Sequence, residues 1–127
     1  MMPALKCLAL LVWPLQLCAE QHAQSQTAAQ CAGFWLGYHD YGQLSAYLEV
    51  NPADIERANA FRAVAIRIGS ASPTEIDTFI AKQRSHTISL MDAVVYRRDR
   101  SSQRVFEDLT ETCETLAKMH PETSALR

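Results

Sequence analysis

Residues Cys31 to Leu48 read CAGFWLGYHDYGQLSAYL. This stretch carries three of the chain's four glycines, and five of the nine aromatic residues that lie beyond the first 19 positions. Cys31, Phe34, Tyr38, Tyr41, Ser45 and Leu48 recur at steps of three and four, which in a helix brings them to one side. Ala29, Gly33 and Gly37 make a second row at steps of four. A glycine inside a helix costs about 1 kcal/mol relative to alanine, so the row needs a compensating reason. Small residues in line let a second backbone, or a ligand, approach closely, and close packing is the simpler account. The stretch is read as the central helix of a small bundle.

Upstream lies a leader. Lys6 precedes the apolar run over residues 7–17, and Cys18-Ala19 then gives way to the polar Glu20-Gln21-His22. One positive charge, a short apolar core and a small residue at the cut are the marks of a secretory signal peptide, here residues 1–19. The run is too short to span a bilayer and Pro14 interrupts it. A lipid anchor on Cys18 is rejected because Leu17 is not the small residue such leaders place before the cysteine. Residues 20–127 are then the mature domain, with Glu20 to Gln26 as a frayed lead-in. Without Lys6 the mature chain has eleven basic against fourteen acidic residues, a net charge of −3. That balance gives no footprint for nucleic acid.

Downstream the helix signals are local. Thr27 and Gln30 fit a capping box, which starts helix one near Ala28 and carries it to about Glu49. Asn51 caps a second helix, with Pro52 at its first position, which runs to Ile68 and stops at Gly69. Ser72-Pro-Thr-Glu75 combines a capping box with an N-terminal proline and opens a third helix over 73–98. Its apolar period is broken by a polar segment from Gln83 to Thr87. Ser101 or Ser102 caps a fourth helix over 102–119, and His120 ends it, favouring the negative end of the dipole. Arg104 with Asp108, and Glu114 with Lys118, are spaced as ion pairs.

Beyond the leader only Cys31 and Cys113 remain, and an even count in an exported chain points to a disulfide. In an up-down-up-down bundle both fall at similar heights on the apolar faces of helices one and four. Bridge and fold therefore support each other. The fold class is all-α: a small four-helix up-down bundle stapled by one disulfide and preceded by a cleaved signal peptide.

The sequence excludes the common motif-bearing chemistries. It has no Cys-x-x-Cys-His for covalent haem, no Glu-x-x-His for a di-iron centre and no His-x-x-x-His or cysteine cluster for zinc. Phosphate-loop glycines and a nucleophile elbow are also missing. No catalytic residue, metal site or cofactor is expected. Candidate ligand-contacting residues are Trp35, Tyr38, His39, Tyr41, Gln83 and His86: an aromatic wall, one amide and the histidines nearest to it. In a structural account, Gln83, Ser45 and Thr87 instead satisfy buried tyrosine hydroxyls. Arg97, Arg98, Arg100 and Arg104 form a basic knot that could meet an acidic partner or an anionic membrane, but Glu107, Asp108 and Glu111 follow closely enough to neutralise it.

The expected function is that of a non-enzymatic periplasmic or secreted interaction and binding protein. Its partner would be another envelope protein, met at the basic knot or through the Gly33/Gly37 row, without nucleic acid and without a stable membrane anchor. The alternative is a small-molecule, haem or metal carrier using the aromatic face of helix one with His39 or His86. The oligomeric state is left open by the sequence.

Overall fold

The computed structural model describes residues 13–126; residues 1–12 of the expected leader lie outside them. Four helices follow in order, α1 (Trp13–Leu44), α2 (Ala53–Ile68), α3 (Pro73–Val95) and α4 (Arg100–Met119), and then the single turn α5 (Pro121–Ser124). No strand occurs among the described residues, and none of their helices is long and apolar enough to cross a membrane.

Named contacts fix the directions. Ser25 lies against Ala65 near the end of α2, and Trp35 lies under Arg57 near its start, so α2 runs antiparallel to α1. Gly33 faces Ile80 and Gln83 while Tyr41 meets Tyr96, so α3 runs parallel to α1. Cys31 is bonded to Cys113 with Cα atoms 5.7 Å apart, and Phe34 meets Phe106 at 5.8 Å, so α4 returns antiparallel. The result is the up-down-up-down order with its staple in place.

α1 is the axis, packed by α2, α3 and α4 at once. Its buried residues accordingly surround it: Ala28 and Ala32 beside Cys31 and Phe34, and Gly33 and Gly37 on a further side. Between Thr27 and Gly42 α1 has no exposed residue, as befits a helix in the centre of a fold. Burying Phe34 alone contributes about 2 kcal/mol. The approach of α3 is what the glycines serve. A β-carbon at Gly33 would stand 2.8 Å from Ile80 O and one at Gly37 2.5 Å from Arg84 O, both backbone atoms. The polar segment of α3 follows from the same approach, because Gln83 and Thr87 sit over the two glycines. Thr87 donates to Gln83 O (2.9 Å) and Ser45 accepts from Tyr47 N (3.1 Å). Neither satisfies a tyrosine, and the buried Tyr41 hydroxyl has no hydrogen-bond partner among the described residues.

Several boundaries differ from expectation. α1 runs through residues 20–26 instead of starting at Ala28. Thr27 is no cap, since its hydroxyl donates to Ala23 O inside the helix (2.9 Å). Docking carries the extension: buried Ser25 bonds Ala65 O (2.8 Å), and Gln24 meets His120 (2.9 Å). At its other end α1 stops at Leu44, short of Glu49, where the chain turns. Asn51 accepts from Ala53 N (3.0 Å), but Pro52 stands at the N-cap and α2 begins one residue later than expected, at Ala53. Ser72 caps α3 through Glu75 N (3.2 Å) as expected. α3 ends at Val95, not Arg98. Arg98 has φ 50, and the turn it makes lets Asp99 N return to Ala93 O (3.0 Å). Asp99, rather than a serine, caps α4 by accepting from Ser102 N (3.1 Å).

Candidate functional site

α2 and α4 do not pack on one another over any length. α5 joins them only at one end, where it touches both. Between them, against α1, lies a groove of about 390 Å³. Trp35, Phe61 and Cys113, the α4 half of the bridge to Cys31, form its apolar floor, with Ala117 and Leu126 on its sides. Arg57, Glu114 and Lys118 stand at the rim. The expected Glu114–Lys118 ion pair does not form, nor does Arg104–Asp108, among the described residues.

Each floor residue is placed by its helix. Trp35 stands one helical turn beyond Cys31 on the side of α1 between α2 and α4. Phe34 holds its ring at 5.0 Å, edge-on. Arg57 stacks its guanidinium 5.0 Å from the indole centroid, a cation–π contact. The same guanidinium pairs with Asp54 Oδ1 at 3.0 Å. Asp54 is 2% exposed, and its Oδ2 and the Trp35 Nε1 are both buried without a hydrogen-bond partner among the described residues. Leaving a buried donor such as this indole N–H unmade costs about 1–3 kcal/mol.

A volume in this range fits small-molecule pockets, with an apolar lining and a few polar groups. The hydroxyl nearest the groove, that of Thr123, is engaged with Ala117 O (2.8 Å).

The residues singled out from the sequence are dispersed. Only Trp35 lines the groove. Tyr38 stacks on Phe106 (6.2 Å) in the α1–α4 contact. His39 shares Trp35's side of α1, where its Nε2 accepts from Gln43 Nε2 (3.3 Å) and its Nδ1 is buried without a partner among the described residues. Tyr41 faces α3, and burial, then Asp92 and Tyr96, pushes its phenol above the ordinary value. Gln83 is occupied over Gly33, and His86 is exposed on α3. No three His, Cys, Asp or Glu side chains gather as a metal site among the described residues. Sequence reading missed Arg57, Ala117 and Lys118, which come from two helices and share no motif. Phe61 falls at helical spacing with Ala58 and Ala65, the pattern of core.

A second polar cluster ties the start of α1 to the end of α4. His120 Nε2 donates to Gln24 Oε1 (2.9 Å), and Nδ1 accepts from Arg67 Nη2 (3.0 Å). Arg67 also grips Glu122 through two bonds (2.7 and 3.0 Å). Both imidazole nitrogens are used by the neutral ring, so His120 is not the cation expected at the helix end. Burial, then Arg67, holds its pKa below the usual value against the opposing pull of Glu122.

No protein-family model, curated protein or solved structure matches the chain.

Proposed function

We propose that this chain is an exported, non-catalytic binding protein whose groove beside Trp35 takes a small, largely apolar molecule. The carrying observation is the groove itself: the Trp35 indole, Phe61 and Cys113 of the disulfide make one apolar floor beneath a charged rim. The Cys31–Cys113 bridge supports export, since such cross-links persist in oxidising compartments. The version in which a partner helix packs on the Gly33/Gly37 row loses its motive, because α3 already occupies that row.

The chain beginning at Glu20 has Trp35 as its only tryptophan, so its fluorescence reports on the groove directly. Titration with dodecanoate and with dodecanol should shift the emission saturably. Ala117→Trp, which fills the groove, should abolish the binding seen by native mass spectrometry. Flat titrations with both compounds, together with a bare mass for the gently purified protein, would sink the reading.

A further inference from the structure

We propose that the end of the bundle formed by the α1–α2 connection and the α3–α4 turn docks reversibly on an anionic lipid surface. Leu44 is 81% exposed and Tyr47 73%, the two most exposed large apolar side chains among the described residues. Tyr96 (54%) and Val50 (41%) stand at the same end. The Tyr47 and Tyr96 rings meet at 5.7 Å, and Tyr96 meets Tyr41 at 6.3 Å. The two connections are thereby held as one surface. Protruding tyrosine and leucine side chains beside arginines are the composition of an interfacial anchor, in which rings sit at headgroup depth and guanidinium groups meet phosphates.

Glu49 is the one carboxylate of the α1–α2 connection, and the acids near the basic knot are turned aside or engaged. Asp108 and Glu111, which follow the basic knot closely in sequence, line the α1–α4 face beside Glu20 and Gln24. Glu107 is engaged by Gln103 (3.2 Å). Asp99 is turned to the Ser102 N–H and hydroxyl. Asp92 stands 4.0 Å from Arg97. Among the described residues no carboxylate pairs with Arg98, Arg100 or Arg104. Arg98 moreover occupies a left-handed backbone position, φ 50, where glycine is the residue of least strain. A cation kept at such a position in an exposed turn is a second, independent pointer to use of that charge.

The test is co-sedimentation of the purified, disulfide-bonded chain with vesicles of phosphatidylcholine alone or mixed with phosphatidylglycerol. Binding is expected only with phosphatidylglycerol, falling as salt is raised. Arg98→Gly should weaken it roughly fivefold, the effect of one juxtamembrane cation, without lowering the thermal melt. Tyr47→Ser should weaken it as well. Equal binding to both vesicles, no binding to either, or indifference to both substitutions overturns the proposal. Capture of poly-glutamate by a chain that ignores vesicles also overturns it, and assigns the patch to an acidic protein.

Discussion

Gly37 and Thr87 stand so close that a β-carbon on Gly37 would lie 2.6 Å from Thr87 Cβ, with Arg84 O 2.5 Å away. Gly33 is equally confined: its added carbon would overlap Gln83 Cβ and stand 2.8 Å from Ile80 O. Because backbone atoms are among the obstacles, relief requires α1 and α3 to separate. Gly33→Ala and Gly37→Ala should each destabilise by about 1–3 kcal/mol, despite the ~1 kcal/mol of helix propensity that alanine returns. Gly42 is the control. Its nearest neighbour, Val50 Cγ2, is 3.5 Å from the added carbon, an ordinary contact. Gly42→Ala should therefore be neutral or stabilise by up to about 1 kcal/mol. Urea midpoints decide the matter, and a rise for all three variants would mean that α1 and α3 are not in backbone contact.

The glycine row was legible because its spacing has one simple use, and the Cys31–Cys113 pairing because the up-down order puts both at the same height. The start of α1 was not. Thr27 and Gln30 match a capping box, but nothing just upstream breaks a helix, and the burial of Ser25 and Ala28 rewards its continuation. Periodicity also misjudged α1 in principle: a helix packed by three others has no single face to find. The groove was legible only at Trp35. Its other residues are gathered by tertiary packing, and Phe61, Ala117 and Arg57 carry no spacing that distinguishes a groove wall from core or rim.

Loss of the disulfide should be costly and symmetric. The bridge joins residues 82 apart, a loop whose closure is worth about 4 kcal/mol in the chain-entropy model. Both cysteines are buried, at 0% and 1% exposure, and Cys113 floors the groove. Cys31→Ser and Cys113→Ser should lower Tm by similar amounts, roughly 15 °C or more for a domain of this size, and the double variant should add little. Markedly unequal single effects by calorimetry would show that one cysteine acts through packing alone.

Acid should loosen the end where α1, α2, α4 and α5 meet. The folded pKa of His120 is depressed, chiefly by burial and then by Arg67. The unfolded chain therefore binds the proton more readily. Its stabilising contribution is complete above the unfolded value of about 6.5 and is lost as pH falls through the folded value. Protonation also removes the Nδ1 acceptor that Arg67 uses. Glu122, held below its ordinary value by Arg67, and Asp77, by Arg62, lose their contributions in a lower window, below about pH 4. The stability curve should thus decline in two steps, and His120→Gln should erase the upper one. An NMR titration that places His120 at or above about 6.5 would contradict the neutral ring.

Arg98 sets fold against surface in a single residue. Its positive φ costs about 1–2 kcal/mol for a side chain with a β-carbon, and the turn it makes carries the Asp99 N to Ala93 O bond. Glycine keeps that turn without the penalty, so Arg98→Gly should stabilise the protein by about 1 kcal/mol. Alanine keeps the β-carbon, so Arg98→Ala should leave stability within about 0.5 kcal/mol of the parent. Both remove the same cation from the surface shared with Tyr96 and Arg97. Denaturant midpoints should therefore separate the two variants, while vesicle binding should fall equally in both. If Arg98→Gly melts below Arg98→Ala, the left-handed turn is not formed, and the strain that marks this position disappears with it.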